Sequence, residues 1–195
     1  MNNNKKYSII YADPPWSYKD KAKAGNRGAS CKYPTQSLGW LKSLPIKEIA
    51  ADNCVLFLWV TMPQLPNAFE LLKAWEFDYV TNGFTWVKKN KKADTLFTGL
   101  GHWTRSNSEL CLIARRGKPK RISAKVHSVI MTPIEGHSKK PDIVRDKIVE
   151  LMGDLPRVEL FARNTSSGWD CLGDGIDGKD MMDALEEIIS PPEDK

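Results

Sequence analysis

Asp13, Pro14, Pro15 and Trp16 stand together at the end of the apolar run Tyr7-Ser8-Ile9-Ile10-Tyr11-Ala12. A carboxylate, proline carbonyls with no adjacent N–H to neutralise them, and a large aromatic face are the parts needed to alkylate an aromatic amine. The 6-amino group of adenine is a poor nucleophile because its lone pair is delocalised into the ring. The Asp13 carboxylate and the Pro14 carbonyl would each accept one of its N–H bonds. The nitrogen then pyramidalises and its lone pair turns toward an electrophilic carbon, which is electrostatic preorganisation rather than covalent catalysis. Trp16 would hold the base by stacking, an interaction of roughly 1–3 kcal/mol per base. The plainer alternative is a strand-end turn in which Asp13 caps a neighbouring backbone and Trp16 belongs to the core.

The elements around this tetrapeptide must present it at an edge. The run 7–12 has the composition of a buried parallel strand that stops abruptly. Proline excludes its predecessor from the helical conformation and removes a backbone donor, so the chain leaves the sheet as a stiff extended turn. The carboxyl end of a strand is where open α/β sheets place their ligands. A second such edge follows the run Arg157 to Phe161, where Arg163-Asn164-Thr165-Ser166 form a polar turn. Ahead of it, Asp142 to Met152 has the apolar side of a helix, with Pro141 in its first turn and Ser138 and Lys140 just before. A helix N-terminus preceded by a lysine suits an anion, although a solvated lysine in front of a helix is the commoner finding.

The remaining chain supplies alternating elements. Ser43 to Ala51 carries helix-start signals, Cys54 to Val60 is apolar throughout as in a central buried strand, and Pro66 to Trp75 has helical spacing. Tyr79 to Val87 reads as a strand. Leu110 to Ala114 and Val126 to Met131 read as two more, flanking the basic turn Arg115 to Arg121. A terminal helix, Asp180 to Ile189, has an apolar stripe that would pack on the sheet or pair with a second chain, and the tail after it frays. Two stretches, 17–35 and 88–108, lack periodicity and are expected to be active-site or substrate loops. At 195 residues, with 41% hydrophobic and 27% charged residues, one domain over 1–195 with a single sizeable core is expected.

Composition narrows the class further. No apolar run reaches membrane-spanning length and no signal-peptide core follows Met1, so a cytoplasmic protein with no membrane association is expected. Cys31, Cys54, Cys111 and Cys171 form no Cys-x-x-Cys pair, and with three histidines a structural zinc site is not indicated. The zinc-deaminase signature is absent, and so is a Gly-x-Gly-x-x-Gly loop, which suits a cofactor without phosphates. Between Trp86 and Lys125 eleven Lys or Arg face Asp94 and Glu109, whereas from Pro141 onward fourteen acids face six bases. A basic middle between two binding loops favours a polyanionic partner, though lysine-rich solvated faces are common.

Taken together, these stretches resemble the adenine-N(6) methyltransferases of the methyltransferase-like 3 type. The likeness is carried by Asp13-Pro14-Pro15-Trp16, by Gly101-His102-Trp103 with Glu109-Leu110-Cys111-Leu112, by Ser138-Lys139-Lys140-Pro141-Asp142, and by Glu159-Leu160-Phe161-Ala162-Arg163 with Trp169 and Gly173 behind it. The resemblance implies S-adenosylmethionine as cofactor, with Lys140 on its carboxylate end and Asp13, Ser138, Phe161, Arg163, Asn164 and Thr165 around it. Asp174 and Gly175 would then stand at the ribose hydroxyls. Asn164 and Thr165 replace other polar residues of the family. The resemblance also places Tyr33 near the cofactor and base, and points Lys88, His102, Trp103 and Arg105 at nucleic acid.

Motif order separates two kinds of amino-methyltransferase. Those that modify glutamine in proteins place a related tetrapeptide far into the chain, after the cofactor-binding unit. Here twelve residues precede Asp13, and a βα unit needs about 30. The expected fold is therefore a doubly wound, Rossmann-like α/β methyltransferase in permuted order, with the catalytic motif before the cofactor segment at Ser138 to Gly175. DNA is the expected substrate because no RNA-binding module is appended, with RNA as the alternative. The adenine would be flipped out or unpaired, and the in-line displacement calls for no metal. A homodimer or a partner subunit is open. The rival reading is a catalytically idle, nucleic-acid-binding subunit of a methyltransferase complex, against which stand the four intact residues of the tetrapeptide.

Overall fold

Strand β1 (Tyr7–Ala12) is buried on both faces, so it needs a layer of helices on each side. The computed structural model, which describes residues 5–18, 35–99, 101, 103–136, 139–173, 176 and 178–190, supplies both layers. Ile9 and Tyr11 point into one core and Ile10 and Ala12 into the other. A register shift between Tyr7 and Ile9 turns Tyr7 to the side of Ile10.

Beside β1 lie β2 (Ala50–Val60) and β6 (Arg157–Leu160), both parallel to it. Beyond β6 the short β7 (Asp170–Leu172) is again parallel. On the other flank β4 (Ser108–Arg116) runs antiparallel to both β2 and β3 (Asp78–Lys89), and β5 (Val129–Pro133) is parallel to β3. The seven-stranded order is β5-β3-β4-β2-β1-β6-β7. One core receives Leu41 of α1 (Leu38–Ser43), Ile46 and Ile49 of α2 (Ile46–Ile49), Leu71 and Leu72 of α3 (Leu65–Ala74), and Met181 and Leu185 of α5 (Met181–Ile189). The opposite core receives Val144, Ile148 and Met152 of α4 (Ile143–Met152) against Tyr11, Phe57, Trp59 and Trp86.

The sheet is thus mixed α/β with helices on both faces, and the antiparallel β4 interrupts the parallel arrangement. β4 follows β3 in chain order, and among the described residues of the connection 90–107 there is no crossover helix. The strands on either side of the basic turn 115–121 do not pair with each other; both pair with β3. Within Ser43 to Ala51 the expected helix is the one-turn α2 after Pro45; Ser43 closes α1, and Ala50 and Ala51 already belong to β2. The preceding α1 is capped by Ser37, whose side chain accepts from the Trp40 N–H; Gly39, a poor helix former, masked it in the sequence. At three residues, β7 was too short to show a period. No helix among the described residues is long and apolar enough to cross a membrane.

This topology also divides the basic segment. Lys88 and Lys89 end β3 on the side where β1 ends. Arg115 and Arg116, which end β4 and pair with Val55 and Cys54 in the middle of β2, lie toward the opposite side. Six strand residues, roughly 20 Å, separate the two ends.

Candidate active site

Asp13 follows Ile9 and Tyr11 at two-residue spacing and faces the α4 side, where it lines a cleft of about 680 Å³ with Tyr11. A volume of that size suits a small-molecule ligand. The opposite wall comes from the end of β6 and the turn after it, through Glu159, Phe161, Arg163, Asn164 and Thr165; Lys140 and Arg145 close the α4 side. Phe161 sits in the left-handed region with φ 61°, a strained conformation for a residue with a side chain and one that gathers at ligand edges. Gly173 makes this turn possible. A Cβ there would come within 2.2 Å of the Ala162 carbonyl oxygen, and the Ala162 N–H donates to the Leu172 carbonyl at 2.8 Å.

The Asp13 carboxylate is 27% exposed, and its Oδ2 accepts from Lys140 Nζ at 2.7 Å. Lys140, 11% exposed, also stands 3.3 Å from Oε2 of Glu109, which in turn pairs with Lys88 through Oε1. Burial raises the Asp13 carboxyl above its ordinary value despite the downward pull of Lys140. Burial pushes Glu109 the same way, but its two lysines outweigh it and hold the group below the ordinary value. Burial alone would lower Lys140; the charges of Asp13 and Glu109 overcome it and raise the ammonium. One cation serves two carboxylates, and the one with a second lysine ionises more readily.

Trp16 is placed differently from the stacking role expected of it. It is 5% exposed and packs in the core, and its indole N–H donates to the Trp59 carbonyl at 3.0 Å. The plainer alternative holds for this residue: Trp16 anchors the corner from beneath. The Pro14 carbonyl is also engaged, because the Trp16 N–H folds back to it at 2.8 Å in a three-residue turn. A carbonyl has two lone pairs, so one remains for a ligand. The Pro15 carbonyl accepts from Gln36 N–H at 2.8 Å, which ties the corner to the segment before α1.

Asp13, Lys140, Phe161, Arg163, Asn164 and Thr165 therefore come together in one cleft. Lys88 stands outside it, in the charge row through Glu109. Trp103 is 100% exposed and Arg105 is exposed too, both in the loop 90–107 rather than in the cleft. Tyr33, His102, Ser138, Asp174 and Gly175 lie outside the described residues. Two features had no role assigned from sequence. Glu109 stands in one of the stretches that carry the family resemblance, as an acid just ahead of the apolar run of β4. Arg145 grips Glu159 with Nε to Oε2 at 2.6 Å and a second N–H to Oε1 at 2.8 Å, clamping α4 to β6.

An α/β sheet carrying an acid and a proline corner at a ligand edge defines an amino-methyltransferase type of site, and comparison with known proteins makes it specific. Residues 7–175 match the MT-A70 family, and the chain belongs to that family. The type II methyltransferase M.MunI of a Mycoplasma species is 37% identical over 187 residues, covering 87% of this chain and 77% of its own length. The METTL3 subunit of the N(6)-adenosine-methyltransferase of Danio rerio is 31% identical over 182 residues, 91% of this chain but 29% of its own. The catalytic METTL3 subunit of Homo sapiens is 30% identical over 182 residues and is covered over 30% of its length. The chain spans under a third of these METTL3 proteins.

Proposed function

We propose that this protein transfers a methyl group from S-adenosylmethionine to the 6-amino group of adenine in DNA. Membership of the MT-A70 family supports the reaction, and the fuller match to the type II methyltransferase supports DNA. RNA is the second reading, favoured by the N(6)-adenosine-methyltransferases that align with 91% of this chain. The observation that carries the proposal is the Asp13 carboxylate, held by Lys140 and turned into the same open cleft as Phe161 to Thr165.

The donor set suits the cofactor. A lysine, an arginine and the polar turn 163–165 offer partners for a carboxylate and hydroxyls, and Tyr11 and Phe161 offer apolar surface. When bound, S-adenosylmethionine supplies an electrophilic methyl carbon on a sulfonium. Asp13 does the chain's share at the amine. Its Oδ2 is occupied by Lys140, and among the described residues nothing donates to Oδ1, so Oδ1 accepts one N–H of the target amine. The open lone pair of the Pro14 carbonyl accepts the other. Both bonds favour a pyramidal nitrogen with its lone pair turned toward the methyl, and the charge on Asp13 stabilises the cation that develops there. In a duplex the base must leave the stack to reach this corner. The catalytic motif thus precedes the cofactor segment in the chain, a permuted order.

Incubation with labelled S-adenosylmethionine and matched DNA and RNA oligomers, followed by digestion and nucleoside analysis, tests the proposal. N(6)-methyladenine in DNA is the expected product. Label on RNA alone would move the substrate to RNA, and label on cytosine or on neither polymer would remove the reaction.

A further inference from the structure

Four alternating charges run from β3 to β1 along the site edge of the sheet: Lys88, Glu109, Lys140 and Asp13. Lys88 Nζ bonds Glu109 Oε1, Glu109 Oε2 lies 3.3 Å from Lys140 Nζ, and Lys140 Nζ donates to Asp13 Oδ2 at 2.7 Å. Two tryptophans form the floor beneath the cations. Lys88 Nζ sits 4.9 Å from the Trp86 ring centre and Lys140 Nζ 5.5 Å from that of Trp59, while the two rings meet edge to face at 6.4 Å. Glu109 pairs directly with Trp86 across the β3–β4 ladder, so its carboxylate rises between the two lysines. The backbone of Lys88 is held from both limbs of the following loop. Its N–H donates to the Asn107 carbonyl at 2.9 Å, and the Phe97 N–H donates to its carbonyl at 2.8 Å.

We propose that Lys88 is a positioning residue for methyl transfer: fixed by the two limbs of the loop 90–107, it occupies Glu109 and so leaves Lys140 to hold the Asp13 carboxylate. The inference rests on the adenine-methyltransferase reading. Without Lys88, Glu109 keeps a bare charge and draws Lys140 toward itself. Asp13 then has a weaker cation and a stronger like charge beside it, and both effects disfavour its ionised form. Among the described residues, the charged and titratable groups facing Asp13 are Lys140 ahead of α4, Glu109 of β4 and Arg163 after β6, with Tyr11 and Cys111 beneath. Among the described residues the charged partner of Lys88 is Glu109, so its influence passes through that carboxylate.

A double-mutant cycle on the whole chain tests this, with the Asp13 carboxyl titration read by carbon-13 NMR and assigned by its loss in Asp13→Asn. Lys88→Met is expected to raise the titration midpoint by about half a unit or more. Glu109→Gln is expected to lower it, Lys88→Arg to leave it in place, and Lys88→Met to have no further effect in the Glu109→Gln background. If Lys88→Met fails to fold by circular dichroism, Lys88→Gln carries the same expectation. A midpoint unchanged by loss of Lys88, or a shift of full size that persists with Glu109→Gln, would overturn the assignment. The pH profile of methyl transfer to an adenine-containing DNA oligomer should move with the NMR midpoint; a profile that stays put while the midpoint moves would also overturn it. A wild-type protein that transfers no methyl group would remove the adenine reading, while the titrations would still decide whether Lys88 sets the state of Asp13.

Discussion

In the proposed reaction Asp13 has to be ionised to offset the positive charge that develops on the amine, yet it sits where burial opposes ionisation. With its folded value above the ordinary carboxylate value, activity should fall on the acid side of neutrality earlier than for an exposed aspartate. Lys140 pulls that value down, so Lys140→Met should move the acid limb of kcat to higher pH. An unmoved limb would show that Lys140 does not act on Asp13. Asp13→Asn should lower kcat by about 10²-fold or more at saturating cofactor, the scale of losing one preorganised charge partner. The same substitution should leave stability unharmed at neutral pH. A carboxyl raised by folding contributes stability below its unfolded value and loses it as pH rises through the folded value, so the charged form is the unfavourable one at neutrality. A thermal midpoint of Asp13→Asn equal to or above that of the parent at pH 7, with the advantage fading toward pH 4, is the expected result.

At the scale of elements, the cleft depends on how β6 meets α4 and β7. The Arg145–Glu159 clamp is largely buried, and Glu159→Gln would leave the guanidinium with the more exposed Asp142 as its carboxylate partner. A loss of about 3 kcal/mol in urea unfolding is expected, largely restored when Met replaces both residues. Gly173→Ala forces a methyl group against the Ala162 carbonyl and should cost about 1–3 kcal/mol while raising the KM for the cofactor, because it displaces the turn that carries Phe161 and Arg163. A Gly173→Ala protein with parental KM would show that this turn does not shape the cofactor site. The corner at Pro14 and Pro15 owes its rigidity to neighbours as well as to proline: Trp16 pins it from the core, and Gln36 holds it from the segment before α1.

For the molecule as a whole, the two basic ends of the sheet predict different salt behaviour. Lys91, Lys92 and Arg105 belong to the loop on the Asp13 side, whereas Arg115, Lys118, Lys120 and Arg121 belong to the opposite end. Neutralising the first set should reduce the slope of log binding constant against log salt by roughly 2–3 for double-stranded DNA. Neutralising the second set should leave both the slope and the turnover near the parental values. Equal effects from both sets would mean that nucleic acid wraps the whole sheet.

Chain-local physics was enough for much of this protein. The stop at Pro14, the apolar strands of β1 and β2, the helices α3, α4 and α5 and the polar turn after β6 each announce themselves through neighbours a few residues away, and the motif series is legible as a family. What depended on partners distant in sequence could not be read this way. Trp16 has the composition of a stacking platform, but the Trp59 carbonyl, 43 residues away, draws it into the core. The basic run 86–125 is continuous in sequence, but β4 reverses direction and carries half of it to the other end of the sheet. Lys88, Glu109, Lys140 and Asp13 come from four separate segments, and only the tertiary structure sets them in one row, because a charge responds to what surrounds it in space rather than to what precedes it in the chain.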